Sequence, residues 1–331
     1  MSPDFHRRLA IFKKSRRAVV ALFIMALMLL AGLGAELISN SSPLVARING
    51  KTLFPAYVEY DRESLGLEDA GIIDYRELSS QFEWAIWPPL KWDPFEIDSE
   101  QMEYLSSPST NHLMGTDVAG RDVFARLLYG TRISLLFGVG FWIITYIVGT
   151  VTGLFMGFVG GRVDLYGQRF MEIFGSIPSL MLLLFIASVI TPGPILLCLF
   201  VCVFGWMGIA QFMRAEALRN RNLTFTEAAF SLGAKRSRLL FTHVLPNSLV
   251  PIITFSPAAV IGGISILTAL DFLGFGVPPP TPSWGELLDQ ARANYQVAWW
   301  LAVFPSLFLF ITILCLNFIG EAVRKAFDPR A

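Results

Sequence analysis

Charge is what this sequence has least of. Only 16% of its 331 residues are Asp, Glu, Lys or Arg, against about a quarter in soluble domains. The 26 basic residues equal the 26 acidic ones, so the cationic excess that neutralises nucleic-acid phosphates is missing, and nucleic acid is excluded as a partner. Cysteine is nearly absent too. Cys198, Cys202 and Cys315 each lie in an apolar run, which excludes a disulfide framework and a Cys-rich zinc site. The three histidines, His6, His112 and His243, are too widely spaced for a His-x-x-x-His metal pair. No Gly-x-Ser-x-Gly elbow or His-Glu-x-x-His motif occurs, and none of the six lysines follows the glycines of a phosphate-binding loop. These residues predict no catalytic, cofactor or metal site; a membrane protein without a nucleotide site of its own can be a passive pore, an ion-coupled carrier, or one subunit of a pump whose ATPase is a separate chain.

What is abundant is apolar: 54% of the chain is hydrophobic and 13% aromatic. Residues 18–35, 133–161, 173–213, 244–270 and 293–320 contain no charge. About 20 apolar residues cross the hydrocarbon, so four of these runs are one span each. The 173–213 run is twice as long, and Thr191-Pro192-Gly193-Pro194 in its middle cannot continue a helix. It divides into spans near 173–191 and 195–213. The fold class is therefore an all-α integral membrane protein with six transmembrane helices.

Orientation follows from the loops. Arg7, Arg8, Lys13, Lys14, Arg16 and Arg17 precede the first span, which places the N-terminus in the cytoplasm, and six spans return the C-terminus to the same side. The inner segments then hold 17 basic and 7 acidic residues, the outer ones 9 and 19. The predicted order is a cytoplasmic segment 1–17, a first helix 18–38, an outer segment 39–130, a core 131–320 and a cytoplasmic tail 321–331. A cleaved signal peptide is disfavoured, because Ala18 to Ala35 exceeds the roughly 7–15 apolar residues of a signal core. The outer segment carries 15 acidic and 7 basic residues, with Trp84, Trp87 and Trp92 near its middle. It suffices for a small subdomain, either a cap over the helices or a docking surface for an external partner.

Coupling to an ion gradient is poorly supported, because the spans lack buried ionisable residues; Glu36 and Glu172 sit at span ends. The informative stretch is the inner loop 214–247. Thr224-Phe225-Thr226-Glu227 reads as a capping box that starts a helix. Gly233 can take the positive φ that ends it. A second short basic helix is expected from Lys235 to about His243, and Leu245-Pro246 opens the next span. The alternative to this helix–turn–helix is an ordinary solvated loop.

Here the sequence resembles a known family. Glu227-Ala228-Ala229, Gly233 after three residues, and Leu245-Pro246 twelve residues later resemble the EAA loop of permease subunits in binding-protein-dependent ABC importers. His243 stands where the general pattern prefers an aliphatic residue, and His243-Val244-Leu245-Pro246-Asn247 is similar to the peptide and nickel branch. Gly115-Thr116-Asp117 and Gly120-Arg121-Asp122 are similar to a stretch of the C-type permease of dipeptide and oligopeptide systems, as are Asp271 to Gly276 and Pro279 to Gly285. The longer segment 40–105 and the ending Ile319 to Pro329 look most like the Yej-type permease of peptide and microcin C uptake.

The resemblance implies the type I ABC importer permease fold in a bacterial inner membrane, with a periplasmic insertion between helices 1 and 2. It implies a second permease subunit as heterodimer partner, two cytoplasmic ATPase domains, a periplasmic binding protein and contact with membrane lipid. ATP and Mg would be held by the partner ATPases, none by this chain. Glu227 would fix the coupling helix, Ala228 and Ala229 allow close approach, and Gly233 make the turn. Lys235, Arg236 and Arg238 would face either an acidic ATPase surface or lipid headgroups. The implied cargo is a peptide or modified peptide, with nickel or its chelate as the alternative; a membrane scaffold or enzyme acting through segment 39–130 is the reading from another class. Asp117 and Asp122 admit a metal pair, but pairing with Arg121 or Arg126 is the expectation, ahead of an interfacial helix from Arg121 to Leu135.

Overall fold

The structure, a computed structural model, describes residues 3–48, 50–58, 60–61, 73–98, 104–235 and 238–327. Its helices are α1 (Pro3–Lys14), α2 (Arg16–Leu33), α3 (Ala35–Ile38), α4 (Val123–Val159), α5 (Gly161–Gly175), α6 (Ser179–Val189), α7 (Pro194–Arg221), α8 (Thr224–Ser231), α9 (Leu245–Phe272), α10 (Trp284–Asn294) and α11 (Trp299–Phe327). Five are long and apolar enough to cross a membrane: α2, α4, α7, α9 and α11. The bent pair α5 and α6, which turns through 64°, is the candidate sixth. Pro178 breaks this span, a feature that charge counting alone does not register. The predicted division of the 173–213 run is present, with α6 ending at Val189 and Gly193 preceding Pro194 at the start of α7.

One expectation is corrected. No separate interfacial helix precedes the second span, because α4 runs unbroken for 37 residues, about 55 Å at 1.5 Å per residue. Nothing between Val123 and Val159 breaks it, and its early arginines find carboxylates instead of headgroups: Arg132 Nη1 is 2.8 Å from Glu36 Oε1. A small antiparallel sheet of order β2-β1-β3 accompanies the helices, from β1 (Val45–Ile48), β2 (Lys51–Leu53) and β3 (Trp84–Ile86).

The chain forms two compact units. One comprises residues 1–25, 134–278 and 310–331. Helices α4 and α7 meet closely. A Cβ on Gly149 would stand 2.6 Å from the Trp206 carbonyl oxygen, one on Gly153 would strike the Ala210 carbonyl, and one on Gly157 would meet Arg214 O and lie 2.8 Å from Ala217 Cβ. This Gly-x-x-x-Gly-x-x-x-Gly ridge lets the two backbones touch, the arrangement by which helices associate where lipid tails are as apolar as leucine. Leu154, Ile209, Met213, Ala217 and Val244 form a buried cluster beside it. Gly138 also meets α9, where a Cβ would stand 2.6 Å from Ile264 Cγ1 and 3.0 Å from Val260 O.

The second unit comprises residues 26–133 and 279–309. Strands β1 and β2 pair Ile48 with Lys51, so the connection is two residues, Asn49-Gly50, with Gly50 at φ +74°. Ala46 and Ile48 are buried while Arg47 points outward to Glu83 at 3.1 Å, the period-two pattern of a strand with one face covered. Ile48, Leu53 and Tyr75 form its small core with Phe82 and Trp87. In the same unit His112, 0% exposed, stacks on Trp92. Its Nδ1 is 2.9 Å from Asp122 Oδ2 and its Nε2 is 3.1 Å from Asp98 Oδ2. Both nitrogens can donate only in the imidazolium form. Burial opposes that charge, yet the hydrogen bonds and charges of Asp122 and Asp98 outweigh it and raise the His112 pKa above its ordinary value of 6.5.

Two outcomes follow from these contacts. Gly153→Leu should destabilise the purified protein by about 3 kcal/mol or more, while Gly262→Ala, where an added Cβ meets nothing within 4 Å, should leave the melting temperature unchanged. A raised folded-state pKa for His112 gives stability that is complete below the unfolded pKa and is lost as pH rises through the folded value. Amide exchange across residues 92–125, corrected for intrinsic rate, should therefore quicken as pH rises above 6.5, and this pH step should vanish in His112→Gln.

Candidate functional site

Two regions collect the residues singled out in the sequence. In the second unit, Gly115 and Gly120 take φ +76° and +78° and turn the chain so that Asp117 faces inward. Asp117 Oδ1 accepts the amides of Ala119 and Arg121, both at 2.9 Å. Its Oδ2 accepts Arg121 Nε at 2.8 Å and lies 3.2 Å from Arg126 Nε. Arg126, fully buried, extends to Glu286 Oε2 at 2.7 Å and to the Pro94 carbonyl at 2.9 Å. Asp122 caps α4 by accepting the Ala125 amide at 2.7 Å while holding His112. The Thr116 carbonyl accepts Trp300 Nε1 at 3.0 Å. Among the described residues no group of three or more His, Cys, Asp or Glu is arranged to hold a metal. The pairing expected for Asp117 with Arg121 and Arg126 is present, and a buried carboxylate met by two guanidiniums is a structural clasp.

Sequence reasoning missed Glu286 and His112 as members of this clasp. The signal for Glu286 was Ser283-x-x-Glu286: the Ser283 hydroxyl accepts the Glu286 amide at 3.1 Å and starts α10, which sets that carboxylate at a fixed place. His112 carried no local signal, since Asp98 and Asp122 are 14 and 10 residues away.

In the first unit the loop between α7 and α9 holds the other candidates. Helix α8 begins at Thr224, where the sequence places its start. Within its first turn the Thr226 hydroxyl donates to the Asn220 carbonyl at 2.9 Å. The helix ends as expected: Gly233 has φ +83° and is exposed, beside Leu232 at 89% exposure. Ala228, Lys235 and Arg238 are exposed; the side chains of Glu227 and Ala229, and all of Arg236, lie outside the described residues.

The expected second basic helix takes another form. Residues Leu239–Val244 make a π-helical turn that runs directly into α9. The wider turn accommodates Pro246, whose ring would collide with the carbonyl four residues earlier in a regular helix and whose nitrogen has no hydrogen to donate. Leu239 and Val244 are buried, and Val244 belongs to the cluster beside the glycine ridge. The loop thus has an exposed tip and a root set in the bundle.

Between α4, α7 and α9 lies a cleft of about 370 Å³. Phe141, Tyr146, Phe212 and Phe255 line it, with Gly205 and Gly208 along α7, and its lining carries no charged side chain.

Residues 149–331 match the family described as the inner membrane component of binding-protein-dependent transport systems. The inner membrane ABC transporter permease protein YejE of Escherichia coli K12 is 39% identical over 99% of this chain and 98% of its own. The peptidoglycan transport system permease protein YejE of Agrobacterium fabrum is 37% identical over 99% and 94%. The oligopeptide transport system permease protein OppC of Haemophilus influenzae is 35% identical over 72% and 77%. The two Yej-type relatives thus extend through the long segment between the first and second spans. The chain therefore belongs to the inner membrane components of binding-protein-dependent ABC transport systems, as a non-catalytic permease subunit of the Yej type.

Proposed function

We propose that this chain is a permease subunit through which peptides or modified peptides enter the cell, driven by ATP hydrolysis on partner ATPase domains. The observation that carries the mechanism is the form of the loop between α7 and α9. Its tip, Leu232 and Gly233, is exposed, and its root, Leu239 and Val244, is buried in the packed helices. A segment of this form converts force applied outside the membrane into displacement of helices within it. The 17 basic residues of the loop side against 9 on the other support a cytoplasmic loop and cytoplasmic termini. ATP and Mg then belong to the ATPase partners that grip the loop.

Each site residue has a place in this reading. Thr224, Glu227, Ala228 and Ala229 form the helix offered to the ATPase. Gly233 makes the turn, Lys235 and Arg236 supply positive charge next to it, and Leu245 and Pro246 lead into α9. Gly115, Thr116, Asp117, Gly120, Arg121 and Asp122 keep the segment before the second span in one conformation. The peptide cargo is supported by the relatives named for oligopeptide and peptidoglycan transport. A second permease subunit and a periplasmic binding protein complete the machine, as the family description implies.

Deleting the chain should abolish accumulation of a labelled tripeptide, and the wild-type chain should restore it. A β-branched side chain at φ +83° is strained, so Gly233→Val should lower uptake at least about tenfold, as a coupling defect of about 1.4 kcal/mol would, with insertion into the membrane unchanged. Normal uptake by the variant would show that the turn has no part in coupling. Purification through a tag on this chain should recover a second permease and an ATPase in stoichiometric amounts.

A further inference from the structure

At the root of the loop, three buried polar side chains are bonded in sequence. Asn220 closes α7, Thr226 lies in the first turn of α8 and Ser248 in the first turn of α9; all three are 5% exposed or less. Thr226 Oγ1 donates to the Asn220 carbonyl at 2.9 Å, Asn220 Nδ2 donates to Ser248 Oγ at 3.0 Å, and Ser248 Oγ donates to the Val244 carbonyl at 2.8 Å. The chain of bonds is complete: the Ser248 hydroxyl both accepts and donates, and the Asn220 backbone oxygen also receives the Leu223 amide at 3.4 Å.

We infer that Thr226, Asn220 and Ser248 are positioning residues that lock α8 to the ends of α7 and α9, so that the loop and these two helices move as one body. The inference rests on the transport reading above and deepens it. Burying hydroxyl and amide groups costs free energy unless each is paired. Apolar side chains would fill the same space and pack α7 on α9, but would not set the angle at which α8 leaves α7. The bond from Thr226 to the Asn220 carbonyl does set it, because a hydrogen bond has a narrow range of distance and direction, and the Asn220–Ser248 bond ties the end of α7 to α9. The consequence lies in the helices so joined. Both α7 and α9 line the 370 Å³ cleft, through Gly205, Gly208 and Phe212 on one side and Phe255 on the other. Force on the exposed Leu232–Gly233 tip therefore reaches the walls of the cleft through the knot, and the π-helical turn carries it along the backbone into α9. Without the knot, α8 pivots about Asn222 and Leu223 and the motion is spent in the loop.

The test uses the whole complex, purified through a tag on this chain and reconstituted in proteoliposomes with its binding protein, and reads labelled tripeptide entering per ATP hydrolysed. Thr226→Val keeps the shape and removes the hydroxyl; Ser248→Ala removes one hydroxyl from the other end. Each should lower the ratio about fivefold, the worth of one buried hydrogen bond. The double variant should be little worse than either alone, since both break one chain of bonds, and Thr226→Ser should restore the ratio. A role confined to stability would instead lower the yield of assembled complex and leave the ratio in the assembled fraction unchanged, and that result overturns the inference. Should Thr226→Val fail to assemble, Ser248→Ala decides alone. A wild-type complex that hydrolyses ATP while no tripeptide enters would refute the transport reading itself, a result separate from a coupled wild type whose variants match it.

Discussion

Where Gly149, Gly153 and Gly157 face Trp206, Ala210 and Arg214, two helix backbones come into close contact, and the rest of the first unit is arranged around that contact. In lipid there is no hydrophobic force to press α4 onto α7, so close van der Waals packing has to hold them. The close approach defines which residues of α7 face α4 and which turn away. Met213 and Ala217 go into the core with Leu154, and Gly205 and Phe212 are left along the cleft. Arg214, one turn past Ala210, reaches Asp164 of α5 through both Nε and Nη2, the latter at 2.7 Å. Arg221 donates to the Phe158 carbonyl at the end of α4 at 3.3 Å. The end of α7 is thereby pinned before the chain enters the loop.

The second unit solves a different problem, which is to hold an acidic, strand-poor segment in one shape. It does so by burying charges in pairs. His112 is clasped by two aspartates, Asp117 by two arginines, and Arg126 is shared between Asp117 and Glu286. Buried pairs of this kind contribute little net stability over apolar packing, but removing one partner strands the other. The Gly-Thr-Asp and Gly-Arg-Asp stretches are thus read as turn and clasp, with each aspartate capping backbone amides as well as binding a cation. Nothing in that geometry calls for chemistry. It keeps the start of α4 in place.

Much of this was legible in the sequence, because a bilayer makes simple demands. Uncharged runs located α2, α4, α7, α9 and α11, and Pro192-Gly193-Pro194 marked the break before α7. The Glu-Ala-Ala stretch and Gly233 pointed to the loop, and the φ of Gly233 agrees. The parts that escaped share a physical cause. Length alone does not show that α4 continues past a membrane's thickness, since its arginines are satisfied by distant carboxylates such as Glu286. The hairpin of β1 and β2 had a signal in Asn49-Gly50 between alternating residues, overlooked because composition had already argued for helices. Thr226, Asn220 and Ser248 look like ordinary small polar residues, and only their convergence in space singles them out. The π-helical turn before Pro246 was likewise invisible, because proline read there as a helix start fits the local rules equally well.

The central claim is that the loop is a rigid extension of the packed helices and not a flexible tether between them. It is tested most directly by the distance between spin labels at Leu232 and Arg219, both exposed, measured by pulsed electron resonance in the assembled complex with and without ATP. A rigid lever predicts one narrow distance distribution that is the same in both states, while distances from Leu232 to a label on the second permease change. A distribution that broadens or shifts by several ångströms between Leu232 and Arg219 when ATP binds would contradict the account.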